Sequence, residues 1–242
     1  MKDLVTRDVE YWHDGVRMLG YLCAPAYATP SPAILLIHDA FGVSERMIGI
    51  AHDLAREGRP VFVADVWGDR FQPASGAETG PLIKGMAADR GRWIARIAAA
   101  HEAMTSRPEY AGRPLCLLGY CFGGTSALEY LRSGAHVAGI VSLHGGLDLL
   151  GDDWSRAGSA SVLICTGAED PMAPAQRLAS VQSALTDAGV DWQVHLYGHT
   201  RHAFTDPAAA SDVAAYSPRS AARAAQATSQ FLDFLTRSSS TS

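Results

Sequence analysis

The chain has 242 residues, with 20 basic and 25 acidic side chains and a formal net charge of −5. Apolar residues make up 48% and charged ones only 19%, which excludes general disorder and leaves enough apolar surface for one sizeable core, expected as a single domain over 1–236. A mildly acidic balance without a basic block argues against nucleic acid, and the longest aliphatic run, Ala33 to Ile37, falls far short of the ~20 residues of a membrane helix.

Residues 1–8 carry charges with no apolar stretch behind them, so no secretory signal is expected. Alternation around Val9 to Trp12, the His13-Asp14-Gly15 turn and the run Val16 to Leu22 predict an antiparallel hairpin. Ala33 to Ile37 is a saturated run of the kind found in strands buried on both faces, and it ends in His38-Asp39-Ala40-Phe41-Gly42. A helix is predicted from Glu45 to Glu57, started by Ser44 and stopped at Gly58. A second buried strand, Pro60 to Ala64, leads to Asp65-Val66-Trp67-Gly68. Residues 68–85 are rich in Gly, Pro and polar groups and read as irregular, with a helix expected from Ala87 to about Ser106.

Pro114 to Leu118 is a third buried strand, followed by Gly119-Tyr120-Cys121-Phe122-Gly123-Gly124 and a helix from Thr125 to Arg132. Further strands are expected at Val137 to Leu143, Ser161 to Cys165 and Trp192 to Tyr197, and helices at Pro174 to Ala188 and Pro218 to Thr236. The Ser/Thr-rich end, 237–242, reads as a loose tail. Saturated strands alternating with helices imply an α/β fold with a mostly parallel sheet covered by helices on both faces. Ligands of such sheets bind beyond the carboxyl ends of the strands, where each polar cluster of this sequence falls.

Gly119-Tyr120-Cys121-Phe122-Gly123 fits the nucleophile-elbow pattern G-x-S-x-G with cysteine in the serine position, between a strand and a helix. Such a turn thrusts its central side chain clear of the sheet, at a helix N-terminus whose dipole favours an anion. The other cysteines, Cys23, Cys116 and Cys165, read as core, and no CxxC spacing suggests a metal knuckle or a disulfide framework. The simplest compartment is a reducing cytoplasm. A nucleophile needs a base, and the base an orienting carboxylate. After the fifth buried strand Glu169 and Asp170 compete for the acid; after the sixth, His199 and His202 compete for the base. His199 and His202 with nearby carboxylates make a poor metal site, since they stand on a loop with no third ligand at suitable spacing.

Gly-Tyr-Cys-Phe-Gly-Gly, Gly167-Ala168-Glu169-Asp170-Pro171-Met172-Ala173-Pro174 and His202-Ala203-Phe204 resemble the dienelactone hydrolase family of α/β-hydrolases over nearly the whole chain. The resemblance implies an α/β-hydrolase fold and a Cys121-His202-Asp170 triad, with no cofactor and no metal. It places oxyanion donors at the backbone N–H groups of Phe122 and Ala40. It also gives Asp39 a part in controlling the thiol, where the family usually has glutamate; loop capping is the plainer use of that aspartate. Phe41, Trp67, Arg90, Trp154, Phe122 and Phe204 are the candidates to line the substrate pocket, and His38 is expected to pack beneath the site.

The family's dienelactone-binding arginine after the catalytic histidine has no counterpart here; Asp206 stands two residues past the triplet, which favours a neutral ester or lactone. The expected activity is hydrolysis of activated carboxylic esters or lactones through a thioester on Cys121. Metal-free phosphotriester hydrolysis at the same triad is the alternative, and a redox-sensing or binding module is a third. The expected partner is a small-molecule ester or lactone, with neither nucleic acid nor membrane, for a monomer or homodimer.

Overall fold

The computed structural model describes residues 3–27 and 29–238. The chain resolves into two compact units, Met1–Leu117 and Leu118–Ser242.

In the first unit β1 (Leu4–His13) and β2 (Val16–Pro25) pair antiparallel along their full lengths, from Leu4↔Pro25 to His13↔Val16. The hairpin turns at Asp14 and Gly15, both at positive φ (49° and 72°), the twist a two-residue turn needs. β2 continues antiparallel onto β4 (Val61–Ala64), and β4 pairs parallel with β3 (Ala33–Ile37), for a strand order of β1-β2-β4-β3. Every residue of β3 and β4 is buried, as their saturated composition requires. Helix α1 (Glu45–Arg56) starts where the Ser44 side chain accepts the Met47 N–H, and it buries Met47, Ala51 and Ala55 along one stripe.

The expected irregular stretch is corrected in part, because α2 occupies Gly76–Ala88. Pro81, Gly80 and Gly85 hide this helix from a propensity reading; its buried residues are Thr79 and Met86. The predicted single helix from Ala87 is also corrected: α2 ends at Asp89, whose side chain accepts the Arg92 N–H and opens α3 (Arg90–Thr105). Trp93, Ile97, Ala100 and Met104 form its buried stripe.

Strand β5 (Leu115–Tyr120) runs across the join into the second unit, where the strand order is β5-β6-β7-β8. β6 (Gly139–Leu143), β7 (Ser161–Gly167) and β8 (Asp191–Tyr197) pair in parallel, Gly139↔Ser161 and Ser161↔Asp191 marking the registers. β6 and β7 are saturated and buried; β8, last in the order, alternates in exposure, which corrects the expectation that every strand is saturated. The helices of this unit are α4 (Phe122–Arg132), α5 (Ala175–Asp187) and α6 (Pro218–Ser238). α6 packs through Phe231 and Leu235 against Gly139, where a Cβ would collide with the Leu235 side chain. Arg237 and Ser238 of the expected tail belong to α6, and 239–242 lie outside the described residues. The mostly parallel sheet with an N-terminal antiparallel hairpin is as expected, and parallel strands bring the loops after β5, β6, β7 and β8 to one edge.

Candidate active site

Cys121 stands between the end of β5 and the first turn of α4, with φ 51° and ψ −116°, a conformation that L-residues adopt only where their surroundings force it. The force comes from close packing: a Cβ on Gly119 would overlap the Gly123 backbone, and one on Gly124 would come within 2.7 Å of Ser142 Oγ. The Cys121 N–H donates to Leu143 O at 3.0 Å, and the Cys121 carbonyl accepts the Thr125 N–H at 3.2 Å. The side chain is left half-buried, while Cys23, Cys116 and Cys165 are buried. Burial pushes the thiols of Cys23 and Cys165 up to about 11, and that of Cys116 higher still.

Asp170 and His202 come from the loops after β7 and β8. The His202 N–H donates to Val213 O and the His202 carbonyl accepts the Ala215 N–H, so the loop backbone is pinned on both sides of the ring. His202 Nε2 lies 3.0 Å from Cys121 Sγ, and Nδ1 lies 2.8 Å from Asp170 Oδ2. The other carboxylate oxygen, Oδ1, accepts the Met172 N–H at 2.8 Å. Both side chains of the acid–base pair are buried. Burial alone would lower the His202 pKa; the hydrogen bonds to Asp170 and Cys121, with the charges behind them, outweigh it and push it up to about 10. The ring sits between its two partners, Nδ1 toward Asp170 and Nε2 toward Cys121.

The competing residues pair with each other instead. His199 Nδ1 is 3.1 Å from Glu169 Oε1 in a solvent-facing pair. Asp206 caps a turn, accepting the Ala208 N–H at 2.9 Å.

Phe122 opens α4 directly after the cysteine. In the first unit Ala40 follows β3, and its carbonyl accepts the Trp67 Nε1–H at 3.2 Å. Trp67 is buried and lies against His38, so its ring braces this loop. His38 is fully buried, donating from Nδ1 to Asp39 O at 2.6 Å and accepting the Val66 N–H at Nε2; burial lowers its pKa, consistent with a neutral packing role. Asp39 accepts the Phe41 N–H at 2.9 Å and pairs with Arg46 at 3.0 Å, the loop-capping arrangement. Phe41 is 43% exposed, and Arg90 lies over the Trp93 ring at the start of α3.

Two further pocket candidates have defined surroundings. Phe204 is fully buried, edge-on to His144 and Tyr197, because the loop turns back after Ala203 (φ 50°) and drives the ring into the core. Trp154 lines a shallow groove with Asp152, Ala184 and Asp187, and no triad candidate lines that groove. Sequence reading missed His144, which touches both Cys121 and the His202 ring. Its signal was available: a histidine directly after a saturated strand and before Gly145-Gly146, at the same sheet edge as the other clusters. Among the described residues no cluster of three or more His, Cys, Asp or Glu could hold a metal ion, and no helix is long and apolar enough to cross a membrane.

The model of the dienelactone hydrolase family matches residues 18–238. The chain belongs to this family. A dienelactone hydrolase-like promiscuous phosphotriesterase from metagenomic libraries is 32% identical, with a TM-score of 0.89 over 96% of this chain and 98% of that one. A dienelactone hydrolase of Anabaena variabilis shares the fold, with a TM-score of 0.68 at 19% identity over 95% of this chain and 98% of that one. A Yersinia pestis protein with a provisional carboxymethylenebutenolidase name is 24% identical over 204 residues, 78% of this chain and 75% of that protein. Family membership makes the chain a hydrolase of the α/β-hydrolase fold.

Proposed function

We propose that the protein hydrolyses activated, uncharged carboxylic esters or lactones, with Cys121 as nucleophile, His202 as proton carrier and Asp170 as its orienting carboxylate. The observation that carries this reading is the continuous line from Asp170 Oδ2 through the His202 ring to Cys121 Sγ, at 2.8 and 3.0 Å. Such a pair can hold the thiol as thiolate and the ring as imidazolium before substrate arrives. The thiolate forms a C–S bond to the carbonyl carbon, and the oxyanion accepts the Phe122 N–H. As the oxyanion collapses the C–O bond breaks, and the leaving oxygen takes the proton from His202 Nε2. Neutral His202 then removes a proton from water, whose oxygen attacks the thioester; the C–S bond breaks and the imidazolium–thiolate pair is restored. Asp170 keeps the ring oriented, and Met172 N–H keeps Asp170 oriented in turn.

Cys121→Ala should abolish p-nitrophenyl ester hydrolysis, a loss of several orders of magnitude in kcat. Unchanged turnover would refute the reading.

A second reading is favoured by one observation, the 32% identical relative described as a promiscuous phosphotriesterase. A neutral aryl phosphotriester fits the same steps: an S–P bond forms as aryloxide leaves, and water then cleaves it. Continuous turnover of paraoxon without added metal supports this activity; one stoichiometric burst and then silence excludes it.

A further inference from the structure

His144 follows β6, is 1% exposed and holds a positive φ of 41°. Its backbone N–H is used by Cys165 O at 2.8 Å. Its Nδ1 lies 3.2 Å from the backbone nitrogen of Cys121, a group that can only donate. Nδ1 is therefore an acceptor and the ring proton sits on Nε2, 2.8 Å from Thr205 Oγ1. A proton on both nitrogens would set one N–H against another, so the bond to Cys121 requires a neutral ring. Thr205 lies three residues beyond His202, and the His144 ring meets those of His202 and Phe204 edge-on, each at 5.3 Å between centroids. One rigid imidazole thus spans the nucleophile turn and the base loop, segments 23 and 61 residues away from it in the chain.

We propose that His144 is a positioning residue that sets the separation of Cys121 Sγ and His202 Nε2. The strained backbone of Cys121 persists only if it is held from several directions. Its N–H is shared between Leu143 O and His144 Nδ1, so losing the imidazole loosens a backbone hold on the turn that also reaches the base loop through Thr205. A histidine serving the core alone needs satisfied ring nitrogens, but not partners in these two particular segments. The inference rests on the reactive pair proposed above, and it concerns a residue that exchanges no proton with substrate.

The test compares His144→Phe, His144→Gln and Thr205→Val, with each rate normalised to titrated Cys121 thiol. Two quantities are measured: kcat and KM on a p-nitrophenyl ester, and the rate of Cys121 alkylation by iodoacetamide at pH 7. His144→Phe should lower kcat about 10- to 100-fold, the scale of a displacement of about 1 Å, with KM within about threefold. Alkylation should slow in parallel, because the thiol loses its alignment with His202. His144→Gln, which keeps an acceptor and a donor, should recover most of both losses. Thr205→Val should reproduce them in weaker form and add little to His144→Phe in the double variant.

Should His144→Phe and Thr205→Val keep kcat and alkylation within about twofold of the parent, with only thermal stability lowered, the proposal is overturned. Should His144→Phe fail to fold, Thr205→Val and His144→Gln decide it by the same readouts. Full turnover by Cys121→Ala would sink the catalytic reading instead, while alkylation of the native thiol would still report on His144.

Discussion

Two acid–histidine pairs occupy the same two loops. Glu169 and His199 meet at 3.1 Å with side chains 52% and 90% exposed; Asp170 and His202 meet at 2.8 Å with side chains 0% and 4% exposed. The carboxylates are sequence neighbours and the histidines lie three residues apart, so local composition is nearly the same for both. Water separates their fates. An exposed pair gains on the order of 1 kcal/mol or less, whereas a buried pair lacks competing water and must satisfy every polar atom. Asp170 does so through His202 and the Met172 N–H, and His202 through Asp170 and Cys121. In the proposed mechanism burial and a third partner set the reactive pair apart, and closeness of acid to base alone does not make one.

The largest effect should come from exchanging the two histidines' fates. His202→Ala should cost at least about 10³-fold in kcat on an activated ester, as for other nucleophile–histidine systems, and His199→Ala should stay within about twofold. Equal losses would erase the distinction. The carboxylates should follow at smaller scale: Asp170→Asn about 10²- to 10³-fold, because a thiolate needs less help than a serine hydroxyl, and Glu169→Gln nearly none. Steady-state rates of four single variants suffice.

A third outcome concerns the cysteines. In the folded protein iodoacetamide should label Cys121 at least about tenfold faster than Cys23, Cys116 or Cys165, as peptide mapping would show. Those three thiols are buried and pushed upward in pKa. Labelling of Cys116 at a comparable rate would contradict the packing described for β5.

How far the sequence alone reaches is visible in these same elements. The saturated runs of β3 to β7, the Asp14-Gly15 turn and the glycine-flanked Cys121 were legible because each depends on neighbours a few residues away. α2 was not, since Pro81 and its glycines mask the helix from a propensity reading. That Asp170 is buried beside His202 while Glu169 faces solvent was closed to residue-level reading, because adjacent carboxylates differ only in which side of the loop becomes buried. His144 escaped for a similar reason, its two partners being distant in sequence. Phe204 and Trp154 show a further limit, since aromatic residues serve core and pocket alike: Phe204 is fully buried, and Trp154 lines a groove with Asp152 and Asp187.

A subtler effect lies in pH dependence. The His202 pKa is raised to about 10 from its ordinary ~6.5, so the stabilisation its proton brings is complete below about pH 6.5 and is lost as pH rises through about 10. Urea unfolding from pH 7 to 10.5 should show the parent's stability falling more steeply than that of His202→Gln. Parallel curves would contradict the assignment of the charge. The smallest effect belongs to the exposed pair: Glu169→Gln should change unfolding free energy by less than about 1 kcal/mol at any pH.

The most direct measurement is rapid acid quench of the protein during turnover of an activated ester, followed by intact mass and peptide mapping. The expected result is one acyl group per chain, as a thioester on Cys121, appearing before steady state and absent from Cys121→Ala. An acyl group on another residue, or undiminished turnover in the alanine variant, would contradict the account.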